Sequence, residues 1–429
     1  MTILGLRKRL GNNAFIRNIA VVSAGNSLAK LIGIASMPVI TRLYSPEEYG
    51  VYSIFASIAT IVGALSTLRY SVTIPLAHKE STSLNLLKLC LIVSVSFSVF
   101  LCVVLLLFGN LITGSLAISQ ISPYLWVLPI TIFFSGVYQT LESWAVRQKE
   151  FKIISETKVV QGLGTTLAKV GLGFLGIRPL GLLIGIVAEK VAGVFMLINK
   201  FKNLPSLFFK ISMREIWSLA RRYKKFPLIQ SWSQILVALG AQLPVLLVGG
   251  LYGIGVAGVF GMAMNMVSIP MVLLGQSVAQ VHFAEISKYG RCNPKKVYHL
   301  SLSIIKNMFF IGILPVAMVF FFGPWLFKIV FGADWLDAGI FARLIAILTL
   351  ARFISSPIAN ILNVYEKQWI QIFLNFFLIL VIIISFLGSR LMGLSPFYSV
   401  GVFSLAATVY RIGMAYIILR VVWRECRHE

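Results

Sequence analysis

The chain has 429 residues, of which 58% are hydrophobic and only 12% are charged, and its mean hydropathy is +0.89. A soluble protein of this length carries roughly twice that charged fraction, so the composition excludes an ordinary soluble enzyme. Apolar runs recur along the whole chain, each about 20 residues long, the length of a helix that crosses the hydrocarbon core. Membrane β-barrels show short alternating segments instead. We therefore predict an all-α, polytopic membrane protein.

Twelve apolar spans follow one another along the chain. They are predicted at 16–40, 49–69, 89–108, 122–142, 159–177, 179–199, 226–248, 257–281, 303–323, 339–361, 369–388 and 396–419. The first span is expected to be retained, because no short apolar core with a small-residue cleavage site follows the basic amino-terminal segment. The four cysteines are scattered without a CxxC pair, a pattern that does not indicate a metal site or a disulfide framework.

Most of the 38 Lys and Arg side chains fall in alternate connections between the spans. The side of the membrane that is rich in Lys and Arg is the cytoplasmic one, so both termini are predicted in the cytoplasm. The formal net charge of +24 is explained by this topology and by attraction to anionic lipid headgroups. It does not indicate nucleic-acid binding.

The longest basic connection, Asn199–Lys225, divides the spans into two sets of six. The segment "EYGVYSIFASIATI", from Glu48, resembles "VAGVFGMAMNMVSI", from Val256. Because six is an even number, both halves enter from the same side, and the repeat has a pseudo-two-fold axis along the membrane normal. We predict an N-terminal six-helix lobe at 1–200, a basic cytoplasmic linker at 201–225 and a C-terminal six-helix lobe at 226–429.

Polar side chains lie at membrane depth on several spans. On the first span Ser23, Asn26 and Lys30 share one helix face, and a lysine at this depth costs at least about 2.5 kcal/mol on insertion scales. The candidates for a polar cavity lining are Ser23, Asn26, Gln161, Gln234, Asn265 and Asn360. A single stripe of this kind is also explained by ordinary packing between helices.

Cations outnumber acids inside the predicted spans. The candidates for an anion-binding lining are Lys30, Arg69, Lys169, Arg343, Arg352 and Arg411, whereas the acids there are Glu142 and Glu189. Folding span five back onto span six pairs Glu189 with Lys169. Lys190 is expected to face away, because neighbours at i and i+1 do not share a helix face. The remaining cations then require a water-filled cavity, an anionic ligand or both, except that Arg69 lies near a span end, where snorkelling is an alternative.

No Walker, HExxH or GxSxG motif occurs in the sequence. We therefore predict no catalytic residue, no metal and no cofactor, and a transporter fits better than an enzyme. A membrane sugar transferase often needs a cluster of carboxylates on the outer side, where this chain has only Asp334 and Asp337.

The opening "NAFIRNIAVVSAGNSLAKLIGIASMPVITRLYSPEEYGVYS", Asn13–Ser53, resembles the start of bacterial polysaccharide flippases of the Wzx type. These belong to the multidrug/oligosaccharidyl-lipid/polysaccharide exporter superfamily. The resemblance implies a multi-pass protein of the bacterial inner membrane that works by alternating access. Its substrate would be a polyprenyl-pyrophosphate-linked oligosaccharide, such as an O-antigen, capsule or exopolysaccharide repeat unit, moved from the cytoplasmic to the periplasmic leaflet. It also implies Lys30 and Arg69 as parts of a cationic cavity.

Three questions stay open at the level of sequence. Related exporters use proton or sodium gradients, for which Glu142 and Glu189 are the candidate coupling residues. Partners besides the lipid bilayer and the lipid-linked oligosaccharide would be a polysaccharide polymerase and a chain-length regulator. The alternative functions are a multidrug or organic-ion exporter of the same superfamily, and, from another class, an integral membrane polysaccharide polymerase or glycosyltransferase.

Overall fold

The computed structural model describes residues 14–115, 118–201, 213–289, 293–359, 361–365 and 367–426. These residues form twelve α-helices of 18 or more residues and no β-strand. In chain order the long helices are α1 (Ala14–Leu43), α2 (Pro46–Gly63), α3 (Glu80–Ser115), α4 (Val127–Arg147), α5 (Phe151–Phe174), α6 (Leu180–Lys200), α7 (Ser231–Tyr252), α8 (Ile254–Tyr289), α9 (Pro294–Phe331), α10 (Leu336–Ala359), α11 (Gln368–Leu391) and α12 (Pro396–Cys426). A shorter helix, Met213–Arg222, precedes α7, and another, Ile361–Val364, follows α10.

Eight of the described helical segments are long and apolar enough to cross a membrane. They include α1, α3, α6 and α7 in the first part of the chain and α9 to α12 in the second. The prediction of an all-α, polytopic membrane protein with about twelve spanning helices is confirmed.

Helix lengths differ from the predicted spans in two ways. α3 and α8 have 36 residues each and α9 has 38, well beyond the roughly 20 needed for the hydrocarbon core. The prediction that the second span continues to residue 69 is wrong, because α2 ends at Gly63 and turns follow it. Leu68 and Arg69 have φ values of 45° and 61°, and a right-handed helix cannot continue through left-handed residues.

The chain forms two compact units. The first lies within Met1–Leu43 and Ile58–Ala238, and the second within Tyr44–Ser57 and Leu239–Glu429. The predicted lobes are based on the sequence repeat, whereas these two units are defined by which residues pack together. The two divisions differ most clearly at α2, whose first half packs in the second unit.

In the second unit, the first half of α2 packs against α8 through glycines. A Cβ atom on Gly50 would overlap the carbonyl oxygen of Ile254, and a Cβ atom on Gly258 would overlap that of Pro46. Gly50 and Gly258 occupy the same position in the two repeats, as do Pro46 and Ile254. The contact is therefore reciprocal, as in the interface of a two-fold dimer. Backbones approach this closely only where side chains are absent, so equivalent glycines hold the repeats together here.

We expect Gly258→Ala to destabilise the protein by about 1–3 kcal/mol, because the added methyl group meets the backbone of α2, which cannot give way cheaply. Gly388→Ala in α11 is the matched control, since a Cβ atom there meets nothing within 4 Å. The control is expected to be neutral or up to ~1 kcal/mol stabilising through helix propensity. Thermal unfolding of both variants in detergent measures the difference, and equal midpoints would contradict the close contact.

Candidate functional site

One face of α1 is fixed against α5 within the first unit. Ser155 donates a hydrogen bond from Oγ to the carbonyl oxygen of Val21 at 2.8 Å. A Cβ atom on Gly162 would lie 3.0 Å from Cα of Ala29, so the two backbones are in close contact. Val21, Gly25 and Ala29 follow at intervals of four residues and form this face.

The polar residues of α1 point away from that contact. Ser23, Asn26 and Lys30 are each half-buried, and a Cβ atom on Gly33, which continues their face, would meet nothing within 4 Å. Across the described part of the chain, the Lys30 ammonium has no hydrogen-bond or ion-pair partner. The predicted polar face thus borders open space and presents an unpaired cation to it.

Arg69 lies in the irregular segment after α2. Its φ and ψ of 61° and 7° are left-handed, a conformation that costs a non-glycine residue free energy and persists only where the surroundings enforce it. The side chain is half-buried, and its Nε is buried without a hydrogen-bond partner among the residues described. Nearby, the hydroxyls of Thr67 and Ser71 lie 3.2 Å apart.

An ion pair joins α4 to α5 in the first unit. The Lys158 Nζ lies 2.7 Å from Oε1 of Glu142, with 22% and 29% of the two side chains exposed. The Tyr138 hydroxyl donates to the same carboxylate oxygen at 3.0 Å, and the Lys158 Nζ lies 4.8 Å from the Tyr138 ring centroid. One carboxylate therefore receives a charged and a neutral donor.

A second ion pair lies on α6. The Lys190 Nζ is 2.6 Å from Oε1 of Glu189, so the prediction that Lys190 faces away from Glu189 is wrong. The long, flexible lysine side chain bends along the helix surface, so its ammonium contacts a neighbouring residue although the two Cβ atoms point in different directions. Lys169 and Lys158 also interact with the Glu189 charge. The expected proximity of Lys169 to Glu189 is thus observed, as part of a larger cluster.

Two glycines of α6 make room for polar side chains of α5. The aliphatic stem of Lys169 lies against Gly185, where a Cβ atom would come within 2.9 Å of Cε. Gly193 similarly faces the amide of Gln161 and the ring of Tyr138. Gln161 is only 4% exposed, and its Nε2 has no hydrogen-bond partner among the described residues. It therefore lies in the packing between helices and not on an accessible surface.

Two arginines lie close together in the second unit. Arg352 is on α10 and Arg411 on α12, helices that pack against each other, and the two charges are near enough to repel. The Arg352 side chain is exposed and that of Arg411 is half-buried. Arg411 has its guanidinium carbon 5.8 Å from the Tyr410 ring centroid and Nη1 3.9 Å from Sδ of Met414. Within the described ranges, neither arginine has an acidic partner.

The remaining candidates have different surroundings. Arg343 donates from Nη2 to the carbonyl oxygen of Phe321 on α9 at 3.2 Å, which ties its charge to a helix backbone. Asn265 on α8 is exposed, and Gln234 on α7 is half-buried. Asn360 lies outside the described residues.

The structure also shows side-chain contacts of Tyr138 and Gln242 that were not predicted from the sequence. Tyr138 precedes Glu142 by four residues, a spacing that signals contact on one helix face and was available in the sequence. Gln242 on α7 accepts a hydrogen bond from Ser57 Oγ at 3.1 Å within the second unit. No local pattern links those two residues, because they are distant in the chain. The part of the chain that the structure describes contains no group of three His, Cys, Asp or Glu side chains that could hold a metal ion.

Known proteins resemble this chain over most of its length. The family described as "Polysaccharide biosynthesis protein" matches residues 39–339. An "Uncharacterized membrane protein in cps region" of Klebsiella pneumoniae is 22% identical over 377 residues, which cover 84% of this chain and 73% of that protein. The "Lipopolysaccharide biosynthesis protein WzxC" of Escherichia coli (strain K12) is 22% identical over 353 residues, or 81% of this chain and 69% of that one.

A solved structure shares the fold. Its title is "Inward-facing conformation of a multidrug resistance MATE family transporter of the MOP superfamily", and it matches with a TM-score of 0.74 at 14% sequence identity. The match covers 96% of this chain and 99% of the other. This likeness supports the predicted two-lobe, all-α architecture and by itself says nothing about substrate.

The Glu142–Lys158 pair is expected to stabilise the protein measurably. A double-mutant cycle with Glu142→Gln and Lys158→Met should give a coupling free energy of about 1 kcal/mol or more, because both groups are largely removed from water. The control cycle uses Glu156→Gln and Lys152→Met, whose charges are 3.9 Å apart with Lys152 84% exposed. That exposed pair should couple by less than roughly 0.5 kcal/mol. Similar coupling in both cycles, measured by thermal unfolding, would refute the structural role of Glu142.

Proposed function

We propose that this chain, which belongs to the polysaccharide biosynthesis protein family, moves polyprenyl-pyrophosphate-linked oligosaccharides from the cytoplasmic to the periplasmic leaflet by alternating access. Its relatives confirm the resemblance to Wzx-type flippases of the multidrug/oligosaccharidyl-lipid/polysaccharide exporter superfamily. The protein is accordingly a membrane transporter and not an enzyme. The substrate, the direction and the binding residues are the proposed parts.

The pair Arg352 and Arg411 is the observation that carries this proposal. The exposed Arg352 and the half-buried Arg411 are near enough for their charges to repel, and neither has an acidic partner in the described ranges. Adjacent like charges at membrane depth are unfavourable unless water or an anion compensates them. A pyrophosphate linker offers several charged oxygens, which arginine binds through bidentate, charge-assisted hydrogen bonds. The pair therefore supports a substrate that carries phosphate.

The glycan and the prenyl chain of the proposed substrate place different demands on the protein. A hydrophilic glycan cannot cross hydrocarbon unaided, because its hydroxyls would lose their hydrogen bonds to water. In the second unit, which also contains Arg352 and Arg411, Asn265 is exposed, so its side chain can exchange water for sugar hydroxyls. In the first unit, Lys30 is an unpaired cation on the same face of α1 as Ser23 and Asn26. The prenyl chain is apolar and needs no polar contact, so it can remain in the lipid.

The charge pattern disfavours an exporter of organic cations. Such a substrate calls for unpaired carboxylates, whereas Glu142 and Glu189 are both in ion pairs with lysines. The same ion pairs favour structural roles for both acids over the predicted coupling to a proton or sodium gradient. A polymerase and a chain-length regulator remain predicted partners that follow from the family resemblance.

The cytoplasmic termini are proposed from the distribution of Lys and Arg, and the inner-membrane location is proposed from the family resemblance. A green fluorescent protein fused after Glu429 should therefore fluoresce, and alkaline phosphatase fused at the same place should be inactive. Fusions after Gly332, in the connection between α9 and α10, should give the opposite pattern in bacterial cells. Active phosphatase at Glu429 would contradict the proposed orientation.

Translocation in proteoliposomes tests the function directly. The vesicles carry a pyrophosphate-linked polyprenyl oligosaccharide, and an external glycosidase scores the sugars that reach the outer leaflet. We expect Arg352→Gln and Arg411→Gln each to lower the rate about tenfold or more, because each removes a charge-assisted hydrogen bond. Arg352→Lys keeps the charge without the bidentate geometry and should be intermediate.

Arg420→Gln serves as the matched control, since it removes an exposed arginine from the same helix, α12. Its rate is expected to equal that of wild type. Wild-type rates in the Arg352 and Arg411 variants would remove these residues from the site and leave the flippase assignment intact. No movement by folded wild-type protein would contradict the proposed substrate.

A further inference from the structure

The short helix Met213–Arg222 is docked on the first unit by one face. Ile216 is 4% exposed and belongs to an apolar cluster with residues of α3, α4 and α6. Two hydrogen bonds fix the helix: Asn85 Nδ2 donates to Oε2 of Glu215 at 2.6 Å, and the Tyr70 hydroxyl donates to the Ala220 carbonyl oxygen at 3.2 Å. Asn85 lies in the second turn of α3, so the helix packs at the ends of the spans.

The flank beside the docked face exposes large apolar side chains. Met213 and Trp217 are 69% and 67% exposed, and they follow at i and i+4 on one side of the helix. Trp232, at the start of α7, is 65% exposed. Tryptophan is enriched where a membrane protein meets the lipid headgroups. An exposed apolar flank at the end of a helix bundle is thus suited to the boundary between headgroups and acyl chains.

The rest of the exposed surface of this segment is basic. The exposed cations are Arg214, Arg221, Arg222, Lys224 and Lys225. The one acid between Met213 and Lys225 is Glu215, and its carboxylate accepts the Asn85 hydrogen bond. Each basic side chain near an anionic lipid surface strengthens binding roughly fivefold. The charge pattern therefore complements anionic headgroups.

We infer that Met213–Lys225 forms a binding site for anionic phospholipid at the membrane surface, with Met213 and Trp217 inserted at the level of the headgroups and the arginines bound to phosphates. The docked face presents Ile216 to the spans, which leaves the apolar flank and the basic face for the adjacent lipid. The inference uses neither Arg352 nor Arg411 and does not depend on the proposed substrate. An acidic protein would use the charges and would leave the Trp217 flank without a role.

Native mass spectrometry of the full-length protein tests this inference. The protein is released from micelles that contain equal amounts of phosphatidylglycerol and phosphatidylcholine with the same acyl chains, and the retained lipids are counted. We expect the triple variant Arg214→Gln/Arg221→Gln/Arg222→Gln to lower the ratio of phosphatidylglycerol to phosphatidylcholine about fivefold or more. Trp217→Ala should lower the retention of both lipids.

The control variant Lys295→Gln/Arg420→Gln/Arg424→Gln removes three exposed cations elsewhere and carries the same net charge. It is expected to keep the wild-type lipid ratio. Equal ratios in the two triple variants would overturn the site, because the preference would then reflect overall charge. If the Arg214→Gln/Arg221→Gln/Arg222→Gln variant keeps the wild-type lipid ratio but no longer binds an acidic peptide, the lipid site is also overturned. The surface would then be assigned to a protein partner. Circular dichroism of each variant verifies that the helices are intact.

Discussion

A cation at membrane depth needs an acid, a backbone carbonyl, water or a bound anion, and this chain supplies few acids. The described residues show three outcomes. Lys158 and Lys190 pair with carboxylates, and Arg343 binds a carbonyl oxygen of α9. Arg352 and Arg411 have neither, and they lie close together. Glu142 and Glu189 are thus paired with lysines of the first unit, and among the described residues Lys30, Arg352 and Arg411 have no acidic partner.

Glycines position the Lys30 and Lys169 side chains by allowing close packing between helices. Gly162 lets α5 approach α1 at Ala29, which turns the Lys30 face away from the contact. Gly185 leaves space for the stem of Lys169. Without a hydrophobic drive between helices in lipid, close packing of this kind supplies much of the association. The polar groups are therefore positioned by close backbone packing at glycines, together with the hydrogen bond from Ser155 to the carbonyl oxygen of Val21.

The sequence predicts the twelve helices and the polar face of α1 well, because apolar length and helical periodicity are local properties. It does not predict that Arg69 lies outside a helix, since left-handed residues such as Leu68 carry no glycine signal. Gln161 has the same helical spacing as accessible residues, and only the packing of three helices shows that it is buried. The Lys190 contact with Glu189 depends on the bending of a long side chain. These differences arise from tertiary packing, which periodicity does not encode.

In the proposed function, Arg352 and Arg411 of the second unit bind the phosphates of a lipid-linked sugar. Electron cryo-microscopy of the protein in lipid nanodiscs with a non-hydrolysable polyprenyl-diphosphate oligosaccharide tests it most directly. We expect density for the two phosphates within hydrogen-bond distance, roughly 2.7–3.2 Å, of the guanidinium groups of Arg352 and Arg411. Clear substrate density with its phosphates elsewhere, and both arginines contacting only water, would show that Arg352 and Arg411 do not bind the substrate phosphates.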